Sequence, residues 1–200
     1  MKKRMFVIFI FLLVITGCSY NVPLMHELYI ESPPEVKYNE KILIVMSKEQ
    51  VQKVISYSPQ LGDTYVFNGG PALKSLIISI FGQLYNEVSY AESLDMAQVN
   101  YDRAIEVVLQ NHEIIMNIYK GNTVKLNINY AIYNQKGELI DNLQTNSSSK
   151  ERYSSRNYVN TVLLGSFYNI GKMKQKTGAA WDTAAVNSIG ELIDRLAGQK

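Results

Sequence analysis

The stretch that decides the fold is Val124–Asn134, VKLNINYAIYN, which alternates over its whole length. Val124, Leu126, Ile128, Tyr130 and Ile132 fall on one side; Lys125, Asn127, Asn129, Ala131 and Tyr133 fall on the other. In an extended chain successive side chains point to opposite faces, so this pattern predicts a half-buried strand of an antiparallel sheet. Working outward, Asn134-Gln135-Lys136-Gly137 has hairpin chemistry, and ELIDNLQ returns from it. On the other side, AIEVVLQ and EIIMNIY read as strand material, joined to the central strand at Lys120-Gly121-Asn122, with His112 at a turn between the two runs. A meander of three or four strands over residues 102–145 follows. The 14 tyrosines against 6 phenylalanines suit a sheet with one wet face.

Further upstream, KILIVM at Lys41–Met46 is a short apolar run of the kind found in buried strands, and Tyr65–Phe67 can form another. Asn68-Gly69-Gly70-Pro71 breaks the pattern, and the period then changes. Leu73, Leu76, Ile77, Ile80, Phe81 and Leu84 recur at helical spacing, with Pro71 suited to the first turn. The glycine pair lacks both GxGxxG and P-loop spacing, so it reads as a turn into a helix and not as a phosphate cradle. Downstream, Trp181, Ala184, Ala185, Ile189, Leu192, Ile193 and Leu196 make a second helical stripe, and Gly198 stands just past its last turn.

Between the meander and this last helix the chain turns polar at Asn146, NSSSKERYSSRN. A helix-like stretch follows, with Val159, Val162, Leu163, Phe167 and Ile170 on one side, and then GKMKQKTG, a basic loop. Two expectations stand for that stretch. It covers the sheet with its apolar side, or it stays partly exposed as a docking surface made by Val159, Leu163, Phe167 and Ile170, for a protein partner or an acidic headgroup layer.

The N-terminus has a different character. Lys2, Lys3 and Arg4 are followed by the uncharged apolar run Met5–Ile15, then Thr16, Gly17 and Cys18, the single cysteine of the chain. A cationic start, an apolar core of about 7–15 residues and small residues at its end describe an export signal. The run is short of the roughly 20 residues a membrane-spanning helix needs. The export segment takes three of the 20 Lys and Arg and none of the 18 Asp and Glu, so the rest of the chain is close to neutral. A near-neutral domain offers no basic face for nucleic acid.

The four residues ITGC, Ile15–Cys18, resemble the lipobox of bacterial lipoproteins. That resemblance implies cleavage between Gly17 and Cys18, a diacylglycerol on the Cys18 sulfur and an acyl group on its new amine. Two or more acyl chains hold a protein stably in a bilayer, at about 0.8 kcal/mol per buried CH2. It also implies that Ser19 after the cysteine, in place of Asp, directs the protein to the outer membrane, facing the periplasm. With its single thiol committed to lipid, the folded part must stand on its core without a disulfide.

The sequence thus predicts residues 1–17 as signal peptide, 18–40 as lipid-anchored tether and 41–200 as one domain. Pro23, Pro33 and Pro34 favour an extended tether, and a flexible chain of this length averages roughly 25 Å end to end. The alternative is a strap, with Leu24, Met25, Leu28, Tyr29 and Ile30 packed on the domain. The fold class expected is α+β: an antiparallel β-sheet meander with two helices packed on one face, preceded by the lipoprotein signal and the Pro-containing tether. The element order, the PAL entry to the first helix, the QKGEL hairpin and the AAWDTAAVNSIGELIDRL helix look like the YajG-like and LPS-assembly-type small outer-membrane lipoproteins. That likeness implies a binding partner in an envelope protein complex.

No catalytic constellation emerges. His26 lies in the tether segment, and neither it nor His112 has a histidine four residues away as a helical metal pair requires. No GxSxG element occurs, and Asp182, Glu191 and Asp194 read as the solvated face of the last helix. The expectation is a non-enzymatic protein without metal or cofactor. It is either a lipid-anchored binding and assembly module or a structural lipoprotein that contacts glycolipid or peptidoglycan directly.

Overall fold

The structure is a computed structural model. It describes residues 19–28, 30, 37–58, 64–95, 100–115, 121–151 and 167–198, with side chains in the last segment from Lys174 onward. The chain runs β1 (Ser19–Asn21), β2 (Tyr38–Val45), α1 (Lys48–Val51), β3 (Ile55–Tyr57), β4 (Thr64–Phe67), α2 (Gly69–Leu84) and β5 (Tyr85–Ala91). It continues through β6 (Arg103–Ile115), β7 (Asn122–Asn134), β8 (Leu139–Glu151) and α3 (Phe167–Ala197). The fold is α+β. A five-stranded sheet has the order β5-β2-β6-β7-β8, and a three-stranded sheet has the order β1-β4-β3.

The predicted central strand is β7, antiparallel to β6 on one side and β8 on the other. Its alternation is realised: Val124, Leu126, Ile128, Tyr130 and Ile132 are buried, while Lys125 is exposed and Asn127, Asn129, Ala131 and Tyr133 are half-buried. The turn after it depends on Asn134, whose side-chain oxygen accepts from the Lys136 and Glu138 amides at 2.9 and 3.0 Å. Gly137 supplies the positive φ of 77° that closes the turn.

Three expectations about the sheet change. It is mixed, because β2 pairs in parallel with both β5 and β6. The run Ile42–Met46 is buried throughout, as a parallel strand covered on both faces must be, and α2 supplies the connection that brings β5 back beside it. AIEVVLQ and the start of EIIMNIY form one strand, β6, whose register slips between Leu109 and Asn111. A bulge there breaks the period-two pattern, so His112 lies inside β6 opposite Leu126 and not in a turn. Finally, the chain does not leave the sheet at Asn146: β8 continues to Glu151.

The last correction has a chemical cause. Along β8 the residues buried against the helices are Thr145 and Ser147, after the half-buried Leu143. Thr145 Oγ1 bonds the Ile128 carbonyl at 3.3 Å and lies against Ser188 Oγ of α3, which also meets Tyr130 Oη at 2.8 Å. Hydroxyls that find partners can occupy an interior, so a polar sequence here still has a core face.

Both long helices join one hydrophobic core over the same sheet face. From α2 come Leu73, Leu76, Ile77, Ile80, Phe81 and Leu84; from α3 come Ala180, Trp181, Ala184, Ala185, Ile189, Leu192 and Leu196. Ile55, Tyr65 and Phe67 of the small sheet close its side. The glycine pair serves packing: a Cβ on Gly70 would strike the carbonyl oxygens of Gln50 and Val51 in α1, and the Gly70 amide donates to the Lys53 carbonyl at 3.0 Å. The expected basic loop GKMKQKTG is helical and belongs to α3, which spans 31 residues, about 46 Å.

Ile128 is fully buried, and Asn127 lies on the opposite face beside Gln144. Removing a buried Ile side chain costs about 2–5 kcal/mol, which in a domain of this size lowers the melting temperature by roughly 5–15 °C. Thermal melts of Ile128→Ala and Asn127→Ala are expected to differ accordingly, with Asn127→Ala within about 2 °C of the wild type.

Candidate functional site

The residues that follow the predicted anchor are folded onto the domain. Ser19, Tyr20 and Asn21 pair in parallel with Thr64, Tyr65 and Val66. The Val22 amide extends the ladder to the Val66 carbonyl at 2.8 Å, and the Val22 side chain is buried. The segment then lies along α3. Lys174 Nζ sits 4.4 Å above the Tyr20 ring, the Pro23 carbonyl meets Gly178, and the Met25 amide donates to Asp182 at 2.9 Å. Past His26 and Glu27 it crosses to α2. There Ser79 Oγ and Gln83 bracket the Leu28 backbone, and the Ile30 amide donates to Gln83 Oε1 at 2.8 Å. Of the two expectations for residues 18–40, the described part follows the strap: Tyr20, Leu24, Leu28 and Ile30 pack against the core.

Two residues fix this crossing. Gly178 is buried, and a Cβ on it would collide with the Pro23 carbonyl oxygen, so only glycine lets the strap touch the helix there. Asp182, expected on a solvated face, is instead partly buried, and burial pushes its carboxyl above the usual carboxylate range. The Met25 amide and then His26 pull the other way. Glu191 and Asp194 are exposed as expected, and Glu191 Oε1 accepts from Ser147 Oγ at 3.4 Å. Neither Gly178 nor Asp182 stood out in the sequence, because each acts on a segment more than 150 positions away.

Two open depressions carry the histidines. His26 lines one of about 530 Å³ between the strap and α2, with Glu27, Ser75, Ile78, Ser79, Gly82 and Gln83. Another, of about 260 Å³ on the wet face of the large sheet, is lined by Asn111, Asn127, Asn146 and Ser148, with His112 at its edge, in register with the core-facing Leu126. Burial, and then the nearby Lys53 ammonium, lower the His112 pKa, which favours a neutral ring. Its neighbour Glu113 is paired with Lys125 at 2.6 Å, both half in solvent. Such a surface of amides, hydroxyls and one ion pair offers hydrogen bonds to a polar partner. Among the described residues no group of three or more His, Cys, Asp or Glu is placed to hold a metal ion. Nor is any helix among them long and apolar enough to cross a membrane.

The predicted anchor, Gly17 and Cys18, lies outside the described residues, as do Val159 and Leu163 of the predicted docking surface. Phe167 and Ile170 lie in the first turn of α3, whose backbone alone is described there.

No protein-family model matches the sequence. No curated protein matches it either. Solved structures do match its fold. Protein XCC0632 of Xanthomonas campestris, of the DUF330 family, superposes with a TM-score of 0.55 at 9% identity, over 92% of this chain and 100% of that one. Protein CT253 of Chlamydia trachomatis covers 78% of this chain and 96% of its own at 6% identity, with a TM-score of 0.43. A Caulobacter crescentus protein provisionally named a lipoprotein covers 65% and 84% at 11% identity, with a TM-score of 0.36. At these identities the first likeness shows the fold alone, and the other two superpose too loosely to add to it.

The strap crossing yields two expectations. Gly178→Ala should lower the melting temperature and raise hydrogen exchange at the Val22–Met25 amides, because helix and strap must part to admit the methyl group. Asp182→Ala should expose the Met25 amide to exchange, whereas Asp182→Asn should keep it protected, since an amide oxygen still accepts. The raised carboxyl also has a pH signature. The folded state holds this proton more tightly than the unfolded state does, so wild-type stability falls as pH rises from about 3.9 through the raised value, then levels off. Asp182→Asn should lack that slope in denaturant titrations taken at successive pH values.

Proposed function

We propose that this protein is a lipid-anchored lipoprotein of the bacterial envelope, acting as a non-catalytic binding and assembly module at the outer membrane. The observation that carries the reading is the position of its single cysteine: Cys18 ends an export-like apolar run in a lipobox-like ITGC and stands next to the first residue of β1. A thiol there has no disulfide partner in the chain, and the acyl attachment that the resemblance implies gives it a use. The two open depressions support a binding role, since each combines apolar surface with several hydrogen-bonding side chains. The YajG-like and LPS-assembly likeness points the same way by analogy of fold.

Cys18→Ser should abolish incorporation of labelled fatty acid and release the protein from the membrane fraction; labelling equal to wild type would sink the reading. Purification of the wild type from detergent-solubilised membranes should bring down a stoichiometric envelope protein. Retention on cell-wall sacculi or lipopolysaccharide without a protein partner would instead favour a structural lipoprotein that contacts those polymers directly.

A further inference from the structure

Among the described residues β8 has a neighbour, β7, on one side only. It runs for 13 residues, Leu139–Glu151, whereas the other edge strands β5, β1 and β3 have 7, 3 and 3. Proteins blunt a long edge with charge, proline or a bulge, because its free backbone groups are a template for another chain. From Asn142 to Ser149 there is no charge and no proline, and the register against β7 is unbroken from Asp141 to Glu151. Two contacts fix which way the backbone points. The Ile128 carbonyl faces β8 at Thr145, and the Asn142 amide donates to Asp141 Oδ1 at 2.8 Å and not to β7. Residues along a strand direct their backbone groups alternately to one side and the other. Thr145 and Ser147 therefore bond toward β7, while Gln144, Asn146 and Ser148, all exposed, turn N–H and C=O away from the sheet.

This edge is complementary to itself. Two antiparallel β8 strands related by a two-fold axis offer each other the same donors and acceptors. Outward residues must oppose outward residues, which brings the helix-covered faces of both sheets to the same side. Ser188 reaches Tyr130 of β7 and Thr145 of β8, so α3 lies over these two strands. In the joined order β7-β8-β8-β7 the two copies of α3 stand two strand spacings apart, roughly 10 Å, a distance at which helices pack. The wet face matches too. Gln144 Nε2 donates to Gln110 Oε1 at 3.2 Å and to Asn127 Oδ1 at 3.1 Å, an amide ladder across β6, β7 and β8. With Thr145 on the axis, Gln144 opposes Asn146 and Asn142 opposes Ser148 of the second copy, so uncharged pairs continue that ladder. Ser147, which donates to Glu191 at 3.4 Å, then falls opposite Leu143 of the second copy and not opposite itself, which keeps the two carboxylates apart.

From this edge we infer that the protein forms a two-fold dimer through β8, in which a second copy of the chain pairs antiparallel with residues 142–148 and the two five-stranded sheets become one. The inference goes beyond the lipoprotein reading above and does not depend on it.

The test uses the full chain purified in detergent. Sedimentation equilibrium in density-matched detergent should give twice the chain mass when concentrated and the single chain mass on dilution. Hydrogen exchange at the Gln144, Asn146 and Ser148 amides should slow about tenfold from the dilute to the concentrated sample, while the Thr145 and Ser147 amides, bonded toward β7 in both, change little. Asn146→Pro removes an outward N–H, which an edge strand tolerates. Asn146→Lys keeps the backbone and puts a charge beside the axis. Both variants should sediment as single chains, and Asn146→Lys should melt within about 2 °C of the dilute wild type. A wild type that stays a single chain at every concentration overturns the inference, including the case in which the three outward amides are already slow in the single chain or slow only when another protein is added. A dimer that survives both substitutions, with those amides unslowed, overturns it as well.

Discussion

The structure depends on one helix being able to lie close against both a sheet and a strap. Along the first half of α3 the sheet-facing stripe is mostly small: Ala180, Ala184, Ala185 and Ser188, all buried, with Trp181 as its one large group before Ile189, Leu192 and Leu196 take over. Small side chains bring the helix axis near β7 and β8, and this proximity lets Ser188 reach both Tyr130 and Thr145. On another side of the same helix Gly178 admits the Pro23 carbonyl. A β-branched or long residue at either kind of position would push α3 outward. It would break hydroxyl contacts on one side and strap contacts on the other, each leaving a buried polar group without its partner.

Much of this architecture was legible in the sequence because it rests on apolar periodicity. The alternation of Val124–Asn134, the helical spacing of Leu73–Leu84 and that of Trp181–Leu196 gave the elements and their faces, and Asn134 and Gly137 gave the turn. What escaped had other signals. Thr145 and Ser147 face the core as hydroxyls, so the end of β8 reads as a polar loop. The bulge after Leu109 divides one strand into two apolar pieces. The lysines of residues 171–178 mask a helix, because Lys176 pairs with Glu151 at 3.1 Å and Lys174 rests on Tyr20, so charge here does not mean loop. Parallel pairing of β2 was foreshadowed only by the unbroken burial implied in KILIVM.

The lipobox-like run before Cys18 is a local signal, and it lies outside the described residues. The strap has no such signal, because a chain of Pro, Tyr and Leu suits an extended tether as well as an extended strap. The difference lies in acceptors and gaps supplied by distant helices: Asp182 and Gly178 in α3, Ser79 and Gln83 in α2. None of these residue types at its own position carries a signal that a strand will cross it.

This arrangement bears on how an anchored domain works. A free tether of some twenty residues would let the domain sample every orientation over a radius of roughly 25 Å. Binding a partner in one pose would then cost the orientational freedom that the tether left. A strap clamped at Tyr20, Pro23, Met25, Leu28 and Ile30 has given up that freedom on folding. In the lipoprotein proposed above, the lipidated residue directly precedes β1 in the sequence, so the anchor would be joined to a clamped strap and not to a free tether. Clamping of this kind lowers the ordering cost for any partner that meets the domain through several weak contacts.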